Sequence, residues 1–261
     1  MIYNKKILIV CISFLFICGY FLLLKYKNHK SLESKDISVI FDFDSTIVKN
    51  ETLNDILSTA LNGNQEKIDA IQKITNDAMN GLLTPQQSMN KRLQFATISK
   101  KIVDEITKKT CQSITEGMAE LIKKLQKNNV KIYIVSGGFN EIILPVAKIL
   151  GIKEDNVFAN DFIYEGDVIS GVKSNVLLEK QGKVKLINKL KSEGKIKGKT
   201  IMIGDGFTDF EVGLNGATDD FIAFTGIVAR ENVMQEAKNN NFLIAKNADE
   251  LLKILNDKIE K

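Results

Sequence analysis

Apolar residues fall along this chain in two patterns that trade places. Ile37-Ser38-Val39-Ile40 is a short, nearly unbroken apolar run, which reads as a buried strand and leads straight into Phe41-Asp42-Phe43-Asp44-Ser45-Thr46. The periodicity then changes: Leu53, Ile56, Leu57 and Ala60 recur at helical spacing, as do Ile68, Ile71, Ile74 and Ala78, and the segments 84–97 and 98–110 follow. No convincing strand comes before residue 130. So long a helical stretch exceeds what a simple crossover needs. Residues 49–114 therefore read as a helical cap domain inserted after the first strand.

From Thr115 strands and helices alternate. A helix with Met118, Leu121, Ile122 and Leu125 on one face precedes the strand Val130-Lys131-Ile132-Tyr133-Ile134-Val135. A helix at 139–150 comes next, then a hairpin over 156–171 turned by Glu165-Gly166-Asp167. Helices at 183–193, 208–214, 230–238 and 248–258 interleave with strands at 200–203, 221–224 and 242–245. Such alternation implies right-handed βαβ units, and so an α/β fold with a doubly wound parallel sheet. The core domain is expected over 37–48 and 115–261.

The first residues stand apart. Ile7 to Leu24 carries no charge and is bounded by Lys5 and Lys6 on one side and Lys25 and Lys27 on the other. As a helix it spans roughly 27 Å, against a hydrocarbon core of about 30 Å, with Tyr3 and Tyr26 placed for the two interfaces. Residues 1–25 are thus expected to form an N-terminal transmembrane anchor, with 26–36 as a polar linker. The competing reading is a cleaved signal peptide, against which stands the lack of a small-x-small cleavage site. The bulky Phe16 and Ile17 before Cys18 argue against a lipoprotein site. The lysines after the span outnumber those before it, which favours a cytoplasmic C-terminal domain; a signal peptide would instead export it.

Composition narrows the chemistry. The 261 residues are 44% hydrophobic and 26% charged, as in a folded globular chain. The net charge of +4 is spread over many helices with no arginine-rich block, so no nucleic-acid partner is expected. Cys11, Cys18 and Cys111 form no C-x-x-C, and His29 is the only histidine. A Ser-His-Asp triad and a multi-histidine metal centre are therefore excluded, and neither a disulfide framework nor a thiolate zinc site is supported. Any hydrolytic chemistry must use carboxylates, lysines, hydroxyls and a hard metal.

Asp42 and Asp44, two apart at the C-terminal end of the first strand, are expected on one face because side chains two apart point the same way, and the strand C-terminal end is where parallel sheets bind ligands. Three further loops add to them. Val135-Ser136-Gly137-Gly138 ends the second core strand with a hydroxyl and exposed backbone N–H groups, a phosphate cradle or a plain turn. Lys183 opens a helix, where a cation is disfavoured unless an anion sits beside it; Lys180 and Lys185 are rivals for that role. Gly204-Asp205-Gly206-Phe207-Thr208-Asp209 ends the third core strand with two more carboxylates, and its glycines let the backbone pass close to a ligand. Gathered at one end of one sheet, these residues suit phosphoryl transfer. Mg²⁺ held by carboxylates neutralises a dianionic ester, Lys183 and Ser136 add positive charge and dipoles, an aspartate attacks, and a second carboxyl moves the proton.

The four ordered motifs, Asp42-x-Asp44-x-Thr46, Ser136, Lys183 and Gly204-Asp205-Gly206-x-x-Asp209, resemble those of the haloacid dehalogenase (HAD) superfamily over about residues 37 to 258. The resemblance implies a Rossmannoid core with a helical C1 cap, Asp42 as nucleophile and Asp44 as general acid/base. It also implies Mg²⁺ bound by Asp42, the Asp44 backbone carbonyl and Asp205, with Asp209 in support, and a phosphate held by Ser136, Gly137, Lys183 and Thr208. Within the superfamily the chain looks most like the phosphoserine phosphatase family. Asn50-Glu51-Thr52 resembles the segment whose acidic residue reads the substrate ammonium. Ala78-Met79-Asn80-Gly81 and Lys91-Arg92-Leu93 resemble the cap segments of the family. That likeness places Met79 and Arg92 against the substrate, with Arg92 pairing its carboxylate as a guanidinium fork can. The chain departs from the pattern at Pro85, where an aromatic usually closes the pocket, and at Thr208, where many members have Asn.

The expectation is an enzyme that hydrolyses a small phosphomonoester, first of all O-phosphoserine, through an aspartyl-phosphate. The alternatives are a phosphatase or phosphotransferase for another small ester, such as phosphocholine or phosphoethanolamine, or a catalytically idle membrane-tethered binding module. Its expected partners are that substrate, Mg²⁺ and the membrane through residues 7–24, with oligomeric state open.

Overall fold

The structure is a computed structural model that describes residues 36–259. The expected anchor over residues 7–24 and nearly all of the linker lie outside the described residues. Among those described, no helix is long and apolar enough to cross a membrane.

A six-stranded parallel sheet forms the centre, in the order β3-β2-β1-β6-β7-β8. Its strands are β1 (Ile37–Phe41), β2 (Lys131–Phe139), β3 (Val157–Asn160), β6 (Lys199–Gly204), β7 (Asp220–Phe224) and β8 (Leu243–Ala245). Alternate residues of each strand feed two separate cores. Val39, Phe41, Ile132, Ile134, Ile201 and Ile203 face one, and Ile40, Tyr133, Val135 and Met202 face the other. Period-2 alternation between two apolar faces is what a strand buried on both sides requires.

Helices cover both faces. Leu121, Ile122 and Leu125 of α5 (Met118–Lys127), Ile142 and Val146 of α6 (Asn140–Ile149), and Leu251 and Leu255 of α10 (Ala248–Ile259) fill the first core. Val184 and Ile187 of α7 (Gly182–Ser192), Phe210 of α8 (Phe207–Leu214) and Val233 of α9 (Glu231–Asn239) fill the second. The chain leaves β1 towards β2 and returns through β6 on the other side. The strand order therefore reverses at β1, and a crevice opens at its C-terminal end.

Between β1 and α5 lie the helices α1 (Thr52–Ala60), α2 (Gln65–Met79), α3 (Pro85–Leu93) and α4 (Lys100–Thr110). Leu53, Ile56 and Leu57 of α1 and Val103 and Ile106 of α4 pack into the first core. Helix α3 is sharply started. Thr84 accepts from the Gln87 N–H, Gln87 reaches back to the Thr84 N–H, and Pro85 takes the first turn, where its missing N–H costs nothing.

One sequence expectation needs correcting. Residues 156–171 do not form a single hairpin, because Val157–Asn160 leaves to pair in parallel with β2. The hairpin is β4 (Phe162–Glu165) with β5 (Val168–Val172), a separate two-stranded sheet turned at Gly166, whose φ is +60°. Val157, Ala159 and Asn160 are buried, whereas β5 has no buried residue, so the apolar face of 157–160 is satisfied by the sheet and not by the hairpin.

Candidate active site

The crevice at the C-terminal end of β1 is where the chemistry-bearing loops meet. Asp42 N–H donates to the Ile203 carbonyl at 2.8 Å, which extends the β1–β6 ladder one step beyond β1 and fixes the first carboxylate. The chain then makes one wide turn, Phe43–Ile47, with Ser45 in the left-handed region at φ +52°. Asp44 thus reaches the cavity from a turn and not from a continued strand, yet both carboxylates line it. Phe43 between them is fully buried and anchors the turn.

Lys183 is 6% exposed and pairs with Asp42 at 2.9 Å and Asp209 at 2.6 Å. It enters from the first turn of α7, whose Gly182 lies so close to the Val176 carbonyl that any side chain there would collide. Burial pulls the Lys183 pKa down, but Asp209 and Asp42 outweigh it and hold the ammonium above its ordinary value. Its rival Lys185 pairs with exposed Glu179 at the surface instead.

Asp205 and Asp209 follow β6. Gly204 carries no Cβ because one would fall inside the Asp209 carboxylate, which also accepts the Gly206 N–H at 3.1 Å. Oxygen atoms of Asp42, Asp205 and Asp209, all buried, converge within 4.8 Å of one another. Three carboxylates with no nitrogen or sulfur donor suit a hard cation such as Mg²⁺. Burial and mutual repulsion agree with that fit. The Asp205 carboxyl is pushed up to about 7 by burial and by Glu51 and Asp42, against the pull of Arg230. Asp209 is raised well above the usual range by burial and Asp42, against Lys183. The cluster carries more negative charge than its protein partners neutralise.

Asp44 accepts from the Thr52 N–H at 3.1 Å and the Thr52 hydroxyl at 3.2 Å. Burial, then Glu51 and Asp42, still raise its pKa well above the ordinary value. A carboxyl whose pKa is raised in this way is suited to act as a general acid. Glu51 receives Ser45 Oγ at 2.9 Å, and burial raises its pKa against the pull of Arg230, Ser45 and Arg92.

Ser136 is buried, and its Oγ accepts the Gly138 N–H at 3.0 Å. Asn160, fully buried on β3, donates to the Gly137 carbonyl at 2.8 Å. The Gly137–Gly138 peptide is therefore held at both ends. Because Gly138 N–H fills an acceptor position of the Ser136 hydroxyl, the hydroxyl proton is free to donate into the cavity. Gly137 has open space around its Cα, with nothing where a Cβ would sit.

Across the cavity, Arg92 Nη1 lies 3.4 Å from Asn54 Oδ1 and 3.5 Å from Thr75 Oγ1, while its buried Nε has no partner. Burial lowers its pKa, opposed by Glu51 and Asp44. Met79 and Thr208 also line the cavity, and Met79 Sδ packs against Gly206. The cavity volume is about 90 Å³. At about 10–15 Å³ per water position, that holds a small ester and not a folded polypeptide.

The sequence-derived residues Asp42, Asp44, Glu51, Met79, Arg92, Ser136, Gly137, Lys183 and Thr208 all border this one cavity, and Asp205 and Asp209 stand in the carboxylate cluster beside it. Two residues escaped the sequence reading. Asn160 is one. The other is Arg230, preceding α9, whose side chain is 7% exposed. Its Nε donates to Asp205 at 2.7 Å and its Nη2 to Glu51 at 2.9 Å. A signal existed: Arg92 and Arg230 are the only arginines among 36 basic residues. In a chain that uses lysine everywhere else, a guanidinium marks a place where fork geometry matters.

Residues 38–216 match the family model of the haloacid dehalogenase-like hydrolases. The chain is similar to the phosphoserine phosphatase of Homo sapiens, 34% identical over 203 residues, which is 77% of this chain and 87% of that one. Among solved structures it is similar to a phosphoserine phosphohydrolase-like protein from Francisella tularensis, at a TM-score of 0.75 and 34% identity, covering 84% of this chain and 99% of the other. It is also similar to a phosphoserine phosphatase solved as a phospho-aspartyl intermediate analogue, at a TM-score of 0.70 and 29% identity, covering 84% and 99%. This chain belongs to the haloacid dehalogenase-like hydrolase family.

Proposed function

We propose that this protein is a Mg²⁺-dependent phosphatase that hydrolyses O-phosphoserine to serine and phosphate. The reading is carried by one observation: an anion, Glu51, and a cation with a buried unpaired N–H, Arg92, line the same cavity as the Asp42–Lys183 pair. A zwitterionic amino-acid end needs both charges, and a phosphomonoester needs the floor beneath them.

Asp42 attacks phosphorus, and the bond from phosphorus to the serine oxygen breaks. Asp44 gives its proton to that leaving alkoxide. Lys183, the Ser136 hydroxyl and the Gly137 backbone hold the phosphoryl oxygens. In the second half, Asp44, now a carboxylate, takes a proton from water as the water oxygen bonds to phosphorus. The bond from phosphorus to Asp42 then breaks, which restores both aspartates to their starting forms. Bound by Asp42, Asp205 and Asp209 with the Asp44 carbonyl, Mg²⁺ would supply neutralisation of the phosphoryl charge. Helices α1 to α4 act as a cap in this reading, with α3 bringing Arg92 over the substrate.

The test is turnover of O-phosphoserine, phosphoethanolamine and phosphocholine by wild type and Asp42→Asn. The expected result is a preference for phosphoserine in wild type and no Mg²⁺-dependent turnover in a folded Asp42→Asn. Equal rates on the three esters would sink the substrate assignment, and an active Asp42→Asn would sink the nucleophile.

A further inference from the structure

Helix α3 presents one face to the cavity: Pro85, Ser88, Met89 and Arg92 all line it, at spacing i, i+3, i+4, i+7. Three of these have an evident role there, since Pro85 begins the helix, Met89 is apolar filling, and Arg92 is the cation. Ser88 has none. It is 1% exposed, and its Oγ has no hydrogen-bond partner. A serine inside a helix ordinarily donates to the carbonyl four residues back. Here that carbonyl, of Thr84, accepts the Ser88 backbone N–H at 3.0 Å, and the hydroxyl is not bonded to it.

A buried hydroxyl without a partner is costly, and this one lies in the wall of a binding cavity. One helical turn on, Arg92 Nε is also buried and unpaired. Residues four apart on a helix lie about 5–6 Å apart at Cβ, a separation that one carboxylate group can bridge. The two oxygens of a carboxylate offer about four acceptor positions, more than a single guanidinium edge fills. The charge of the neighbour decides which ligand group is involved, because Arg92 draws an anion to this end of the cavity, while Glu51 stands with Ser45 and Arg230.

We propose that Ser88 is a second substrate-contacting donor on α3, its hydroxyl completing with Arg92 a two-residue clamp for the substrate carboxylate. This rests on the phosphoserine reading and sharpens it: selectivity for a carboxylate-bearing ester is divided between an arginine and a hydroxyl one turn before it.

The experiment is Ser88→Ala in the full chain, with steady-state kinetics on O-phosphoserine, inhibition by inorganic phosphate and thermal melts without ligand. One lost hydrogen bond to a charged group predicts a roughly tenfold rise in KM for phosphoserine, larger than any fall in kcat. The inhibition constant of inorganic phosphate, which has no carboxylate, is expected to keep its wild-type value. The ligand-free melting temperature is expected to equal or exceed that of wild type, since alanine removes a buried unpaired group and favours helix. That melt separates a lost contact from a damaged fold. An unchanged KM for phosphoserine overturns the proposal, as does an equal rise in KM and in the phosphate inhibition constant. If wild type does not turn over phosphoserine at all, the underlying substrate reading fails instead.

Discussion

Arg230 is the residue whose removal tests the electrostatics of this site most directly. Its side chain is 7% exposed and serves two carboxylates at once, Asp205 at 2.7 Å and Glu51 at 2.9 Å. Taking one partner from a buried ion pair costs about 3–5 kcal/mol, because the remaining charge stays buried and unpaired. In Arg230→Ala two carboxylates are left so, but each can take up a proton, which limits the loss to about 3 kcal/mol near neutral pH in metal-free protein. The pH sign follows from linkage. Burial already raises the Asp205 carboxyl to about 7 and lifts Glu51, and Arg230 is the charge that opposes both shifts. Without it the folded state holds more protons than the unfolded state above the ordinary carboxylate range, so stability falls as pH rises. The gap between wild type and Arg230→Ala should therefore be small at pH 5 and widen towards pH 8 in urea denaturation with EDTA. Glu51→Gln removes one of the stranded charges and should shrink the cost of Arg230→Ala by about 1–2 kcal/mol in a double-mutant cycle. Arg230→Lys should recover only part of the stability, since one ammonium cannot fork between the two acceptors. Additive single-mutant effects within about 0.5 kcal/mol, or a gap that does not change with pH, would refute the shared-cation account.

Mg²⁺ binding should tighten as pH rises from 6 to 8, because protons on Asp205 (raised to about 7 chiefly by burial) and on Asp209 compete with the ion. Calorimetry in buffers of different ionisation enthalpy should report proton release near neutral pH, and an affinity flat across this range would count against the carboxylate cluster as the site. Gly204→Ala should push Asp209 from its place and weaken Mg²⁺ binding by about 10- to 100-fold with the circular dichroism spectrum intact. A wild-type rise in melting temperature on adding Mg²⁺ to that variant would show that the backbone–carboxylate contact at Gly204 does not matter.

The sheet was legible from the chain because fully buried parallel strands are short apolar runs flanked by helical periodicity. Residues 37–40, 130–135, 200–203 and 221–224 all satisfy that rule. Val157–Asn160 did not, since an edge strand of four residues next to a true hairpin has the same local pattern as the hairpin itself. Legibility at the site followed the same division. Asp42 and Asp205 directly follow strand ends, which local pattern can find. Ser136 lies within β2, which runs on through Phe139 instead of ending at Val135, and Lys183 stands at a helix start where its charge is out of place. Asn160 and Arg230 act through tertiary contacts to loops 23 and 25 residues distant or more, and nothing in their immediate neighbours marks them. Ser88 was hidden for another reason: a serine on a polar helix is ordinary, and only its burial without a partner makes it conspicuous.

The balance of charge across the site favours a bound cation. Asp42, Asp44, Asp205, Asp209 and Glu51 face Lys183, Arg230 and Arg92, so five carboxylates meet three cations. With all eight groups charged, the protein alone would present two net negative charges to a phosphate dianion, in a partly desolvated cavity where repulsion is poorly screened. Proton uptake relieves part of this. Asp44, the carboxyl raised by burial and by both acidic neighbours, is the one whose proton the proposed mechanism uses. In that mechanism a divalent cation would remove the remainder and turn the cavity attractive to the ester. Binding of the ion should therefore precede and strengthen binding of substrate, and by linkage substrate should tighten the ion to the same degree. Burial, with too few cations to offset it, raises the carboxylate pKa values, and the sharing of Arg230 between Asp205 and Glu51 reflects the same excess of acidic ligands over the fold's own cations.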